Sequence, residues 1–174
     1  MNLKFLTPKV MVVAGIILFA AVMRLVPHWP NFTPVAAIAL FGGAHLGRRS
    51  LAFAIPLVAL FISDLFLGFH NFMIPVYISF ALVVLLGGLL RNNVKVHTVA
   101  GGALAGSTLF FLLTNFAVWL TTPYYGPGFS GLMACYTAAL PFFHTSILGD
   151  LFYSTVFFGG FYFVQQRYPV LKIA

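Results

Sequence analysis

Long apolar runs, separated by short polar connections and almost free of charge, restrict this chain more than any other feature. Only 6% of its 174 residues are charged and 61% are hydrophobic, against roughly 25% charged residues in a soluble globular domain. A chain of this kind cannot cover itself with polar surface. A soluble enzyme, a nucleic-acid-binding module and a disordered tail are excluded. An outer-membrane barrel would need alternating strands of about ten residues, and these runs do not alternate. The class is all-α: a polytopic membrane protein forming a single transmembrane domain over 1–174.

A membrane-spanning helix takes about 20 predominantly apolar residues. Six segments qualify or come close: 10–26, 34–47, 51–69, 74–90, 96–120 and 146–165. Lys4 and Lys9 ahead of the first run look like the start of a signal peptide. No cleavage site with a soluble chain after it follows, so that run reads as the first span. Thr33 and Pro34 read as an N-cap followed by proline at the first helical position, and Pro75 opens the fourth span in the same way. The Gly126-Pro127-Gly128 run cannot continue a helix.

The stretch 129–143 is apolar but short, and Pro141 interrupts it. As a crossing it would make seven spans and put Arg167 and Lys172 outside. With six spans and a cytoplasmic N-terminus, Lys4, Lys9, Arg48, Arg49, Arg91, Lys95, Arg167 and Lys172 all lie on the cytoplasmic side, which is where basic residues collect. The stretch therefore reads as a short outer helix or re-entrant segment before the last span, within an outer cap over 121–144. Both termini fall in the cytoplasm.

That orientation sorts the remaining polar residues. Nine Lys and Arg against two Asp and Glu give a net charge of +7. Of these eleven charges, only Arg24, Asp64 and Asp150 fall toward the outer half. Asn31, Asn115, Trp119, Tyr124, Cys135 and His144 fall there too, as do His28 and His70. Ionisable residues inside spans are costly and face an interior or a water-filled cavity. Helical spacing places Ser146, Asp150, Tyr153 and Ser154 on one face, and Thr108, Phe111, Asn115 and Trp119 on another. One reading is that Arg24 pairs with an acid and staples the bundle. The other is a polar and aromatic pocket open to the outside, with Trp119 and Tyr124 stacking on a ligand. A salt bridge could also form the floor of such a pocket.

Other features carry less. His28, His70 and His144 could meet Asp64 or Asp150 around a metal, but no metal-ligand spacing supports this, and the expectation is no metal held by the protein alone. Ala39, Gly43 and Gly47 recur every four residues on the second span, and Gly102 and Gly106 do so on the fifth. Such faces bring helices close, either within the monomer or against a partner. Cys135 and His144, with Asp150 nearby, are the one arrangement an intramembrane enzyme could use. No phosphate-binding loop is present, so the chain cannot itself couple ATP hydrolysis to transport.

Two resemblances add to this. The run Arg24-Leu25-Val26-Pro27-His28-Trp29-Pro30-Asn31-Phe32-Thr33-Pro34-Val35 continues through Leu40-Phe41-Gly42-Gly43-Ala44. Further on stand Ile62-Ser63-Asp64-Leu65, Thr114-Asn115-Phe116-Ala117-Val118-Trp119-Leu120, Ala134-Cys135-Tyr136, Leu140-Pro141-Phe142-Phe143 and Leu148-Gly149-Asp150-Leu151. Across nearly its whole length the chain resembles an uncharacterised bacterial family of small transport-type membrane proteins. More loosely it is similar to the substrate-binding S components of energy-coupling-factor vitamin transporters, through the Arg-x-x-Pro end of its first span and its short Gly-rich second span.

The resemblance implies an S-component-like bundle in a bacterial inner membrane, taking up a vitamin-like micronutrient through an outer pocket. The pocket residues would be Arg24, Asn31, Asp64, Asn115, Trp119, Tyr124, Cys135, His144 and Asp150. No cofactor is required. Cobalamin is one candidate ligand, with Cys135 as a soft ligand to its cobalt. The implied partners are the lipid bilayer, the small-molecule substrate, and an energising membrane subunit with its ATPases; no nucleic acid is expected. S components dock that subunit with an A-x-x-x-A face on the first helix, whereas Ala14, Gly15, Ala20 and Ala21 here do not make that spacing. Two alternatives remain: an intramembrane enzyme using Cys135 and His144, and a structural assembly partner using the Ala39, Gly43 and Gly47 face.

Overall fold

A computed structural model describes residues 7–27, 29–47 and 49–172. Its elements are α1 (Pro8–Met23), α2 (Val35–His45), α3 (Arg49–Leu67), α4 (Met73–Leu90), α5 (Val96–Thr121) and α6 (Gly128–Arg167), with a closing 3-10 turn over Pro169–Lys172. Helices α3 to α6 are long and apolar enough to cross a membrane, while α1 and α2 have 16 and 11 residues. Phe66, Ile74 and Leu89 are at least 74% exposed, amid many other outward-facing large apolar side chains. Water would not tolerate such a surface. The chain is a helical membrane protein.

Helix α2 organises the bundle. It is apolar all the way round, as a buried helix must be. Every residue from Ala36 to His45 is buried, and α2 touches each of the other five helices. Its closest neighbour is α4. A Cβ on Gly43 would run into the Val84 carbonyl oxygen and lie 3.0 Å from the Gly87 Cα, and one on Gly87 would run into the Leu40 carbonyl oxygen. The two backbones therefore touch where both helices lack side chains. On α5, a Cβ on Gly102 would lie 2.8 Å from Leu90 Cδ1 and one on Gly106 would lie 3.3 Å from Val83 Cγ1. Both small-residue faces are thus used inside the monomer. The Ala39, Gly43 and Gly47 face is not available to a partner: Ala39 is fully buried, and Gly47 lies against the Arg91 guanidinium.

Both expectations about helix starts are corrected, and the arrangement expected of α2 is found at α1. At α1, Thr7 Oγ1 accepts from the Val10 N–H at 3.2 Å, with Pro8 at the first helical position. At α2 the same Thr-Pro dipeptide behaves differently. Pro34 itself is the N-cap, and it makes no side-chain capping bond. A buried helix start leaves amide donors that need partners, and here they come from another helix. Pro75 lies in the first turn of α4, two residues later than expected, where its missing N–H is still harmless.

The largest correction concerns 129–143, which is neither a separate outer helix nor a re-entrant segment. It is the opening part of α6, which runs unbroken for 40 residues through Pro141. Proline removes one backbone bond, but in an apolar setting neighbouring helices and hydroxyl side chains compensate. Here α5 packs along the segment: Tyr136 Oη donates to the Leu112 carbonyl at 2.9 Å. At 1.5 Å per residue α6 is about 60 Å long, roughly twice the hydrocarbon thickness.

The bundle has two chemically distinct ends. Arg91 Nη1 donates to the Gly47 carbonyl at 2.7 Å, a cation at the C-terminal end of α2, where the helix dipole favours it. Lys9, Lys95 and Arg167 lie at the same end by the order of the helices. The opposite end holds Arg24, Asp64 and Asp150 and is called the carboxylate end below. Between them, Phe41 packs edge-on against Phe158 and Phe161 with ring centroids 5.2 and 5.5 Å away, joining α2 to the later half of α6.

Candidate functional site

The two acids occupy different surroundings. Asp64 Oδ1 lies 2.9 Å from Arg24 Nη1, with side chains 3% and 14% exposed. Asp64 Oδ2 accepts from Tyr77 Oη at 2.8 Å. The same Arg24 nitrogen donates to Ser63 Oγ and, at 3.5 Å, to the Leu60 carbonyl. Asp64 thereby ties α1, α3 and α4 together, with both of its oxygens engaged. Buried charges survive when paired and hydrogen-bonded in this way.

Asp150, on α6, accepts from Ser107 Oγ of α5 at 2.5 Å and from the backbone N–H groups of Ala36 and Ala37. Those amides are the second and third of α2, the two that an N-cap side chain normally satisfies. The carboxylate thus caps a helix far away in sequence, and its charge lies at the positive end of that helix. Gly149 makes this approach possible. A Cβ there would lie 3.2 Å from both Phe32 Cα and Thr33 N, so any larger residue would push the 24–34 connection back from α6 by a few tenths of an ångström. Phe32 then packs between Phe152 and Tyr153 with centroids 5.7 and 5.6 Å away. Asn31 turns that connection with a φ of 62°, a left-handed conformation that asparagine tolerates better than most residues.

Above this network lies a cavity of about 350 Å³. Its polar wall includes Arg24, Asn31, Thr33, His70, Ser107, Asn115, Ser146 and Asp150; Phe110, Phe111, Phe142 and Phe143 supply aromatic surface. Phe111 and Phe143 stack with centroids 4.4 Å apart. Polar groups that converge beside aromatic surface in one concavity are what orients a bound small molecule.

Of the nine residues singled out in the sequence, Arg24, Asn31, Asn115 and Asp150 meet on this wall. The other five lie elsewhere. Asp64 is buried behind Arg24. Trp119 packs on Phe116 and donates from Nε1 to the Gly126 carbonyl at 3.3 Å, closing the α5–α6 connection. Tyr124 is exposed in that connection. Cys135 is buried, with Sγ 3.4 Å from the Asn115 carbonyl. His144 is exposed on α6.

Nine residues apart on one helix, Cys135 and His144 project to opposite sides, about 13 Å apart along the axis, so they form no nucleophile–base pair. Among the described residues no three of His, Cys, Asp and Glu come together as a metal site. The expectation for His28 falls outside the described residues.

Ser107, Tyr77 and the aromatic wall apart from Phe111 lie outside the faces that helical spacing marks. Ser107 follows Gly106 on the small-residue face of α5, the one hint that it lies against a neighbouring helix.

A family model matches residues 4–171, and the chain belongs to that family, described as a family of unknown function (DUF6580). No curated protein and no solved structure matches the chain.

Proposed function

We propose that this protein is a membrane transporter, or the substrate-binding subunit of one, for uptake of a small organic micronutrient. The observation that carries this reading is the cavity at the carboxylate end, where polar groups from four parts of the chain converge on aromatic walls. In this reading the helices make six crossings of a bacterial inner membrane in an S-component-like bundle, with both termini in the cytoplasm. The clustering of Lys9, Arg91, Lys95 and Arg167 at the opposite end supports that orientation, which opens the cavity to the outside. Helix α2, too short to span alone, returns through the protein interior, where short helices and irregular backbone are tolerated at membrane depth.

The cavity is near the lower end of the roughly 300–1,000 Å³ typical of small-molecule sites. A single-ring vitamin suits that space better than a corrinoid, and the buried Cys135 thiol is off the cavity wall. Ala20 and Ala21 of α1 are buried in the bundle, which favours a protein that acts without an energising subunit docked on those residues.

The test is to purify the protein in mild detergent and take mass and UV-visible spectra of the co-purified material, followed by uptake assays with the compound found. A bound micronutrient whose uptake depends on the protein supports the reading. No binding across a broad vitamin panel, with Asn115→Ala and Asp150→Asn both silent in uptake, would remove it.

A further inference from the structure

We infer that the ligand of this cavity is an organic cation, an aromatic or heteroaromatic ammonium, with Asp150 as its counter-charge. This rests on the proposed binding role of the cavity and names the substrate class. The argument is one of charge matching. Arg24 lines the cavity, but its charge is matched by Asp64 at 2.9 Å. Asp150 lines it too, and its partners are all formally neutral: the Ser107 hydroxyl and the Ala36 and Ala37 amides. The only ion pair among the described residues is the one between Arg24 and Asp64.

The start of α2 supplies about half a positive charge. No cation of the protein among the described residues is paired with this buried carboxyl, which is 5% exposed, and a cationic ligand would supply the missing partner. Phe111 and Phe143, stacked on each other, line the same cavity, and aromatic rings attract cations. An anionic ligand would meet both the carboxylate and the rings unfavourably. A neutral ligand would give the carboxyl no ionic partner.

The experiment uses three compounds of nearly equal size: benzylammonium, benzyl alcohol and benzoate. Their binding to the full-length protein in nonionic detergent is measured by ligand-observed NMR or calorimetry. Benzylammonium is expected to bind at least about tenfold more tightly than the other two, the scale of one desolvated cation–aromatic contact. Asp150→Asn is expected to bring the three within about threefold of one another.

The comparison on the unaltered protein stands even if Asp150→Asn folds poorly. Equal binding of the three, or a preference for benzoate, would overturn the cation inference and leave the cavity as a binding site. A preference for benzylammonium unchanged in a folded Asp150→Asn protein would overturn the role of Asp150. Failure of all three to bind would overturn the cation inference, while the transport reading stands or falls separately on the vitamin panel and the uptake assays.

Discussion

The Ser107 hydroxyl donates to Asp150 Oδ2 across 2.5 Å, linking α5 to α6 directly above the first turn of α2. The bond holds the carboxylate where it can take the Ala36 and Ala37 amides, and it forms part of the cavity wall. Stability and the site therefore share one network. Ser107→Ala should cost about 1.5–3 kcal/mol, the scale of a hydrogen bond to a charged group, while leaving the cap on α2 in place. Asp150→Ala should cost more, because two amides and a hydroxyl all lose their acceptor. Thermal unfolding in detergent micelles should place the three proteins in that order.

Removing one partner of a buried ion pair costs roughly 3–5 kcal/mol, because the other charge stays buried without compensation. Asp64→Asn alone and Arg24→Met alone should each lower the melting temperature strongly. The double variant should be more stable than the sum of the two single effects predicts. A double-mutant cycle reads the coupling, and simple additivity would show that the pair is not formed.

The crossing of α2 and α4 leaves no room for a methyl group. Gly43→Ala and Gly87→Ala would each press a Cβ into a backbone carbonyl of the facing helix. Overpacking typically costs about 1–3 kcal/mol where side chains can shift, and backbone gives way less readily. Both variants should express poorly or melt early. Gly88→Ala, one position along on a side with open space, should melt like the parent protein, so it serves as the control.

Cys135 is 1% exposed and lies away from the cavity wall. It should resist a bulky maleimide in the folded protein and react fully after denaturation. Cys135→Ala should keep the ligand binding of the parent. Labelling of the native protein accompanied by loss of binding would instead restore the cysteine to the site.

Apolar runs made the helical membrane class legible, and the rarity of charge pointed to Arg24, Asp64 and Asp150. The first and last of these line the cavity, and Asp64 holds Arg24 in place. What stayed hidden depends on contacts between distant segments. Thr33 and Pro34 carry a capping signature, yet α2 is capped by Asp150, because a helix start buried against α6 takes the acceptor nearest in space. Pro141 looked like a break. The lost backbone bond is a local cost, and packing of α5 along that stretch outweighs it. Trp119 and Tyr124 were read as stacking residues from their type, but their positions at the end of α5 and in the connection after it carry them past the cavity. The aromatic surface comes instead from Phe110, Phe111, Phe142 and Phe143; helical spacing marks Phe111 beside Asn115, but type alone does not distinguish the others among 21 phenylalanines.

The most direct test of the cavity as the binding site is to fill it. Ala139 lies on its wall and takes no part in the Asp150 or Asp64 networks, so Ala139→Trp should occupy the space and leave the polar groups in place. Native mass spectrometry of the parent and of this variant, each with a panel of water-soluble vitamins and with melting temperatures matched, reads the outcome. A small-molecule adduct on the parent that is absent from the variant is the predicted result. An adduct retained equally by both proteins, or none on the parent with any member of the panel, would contradict it.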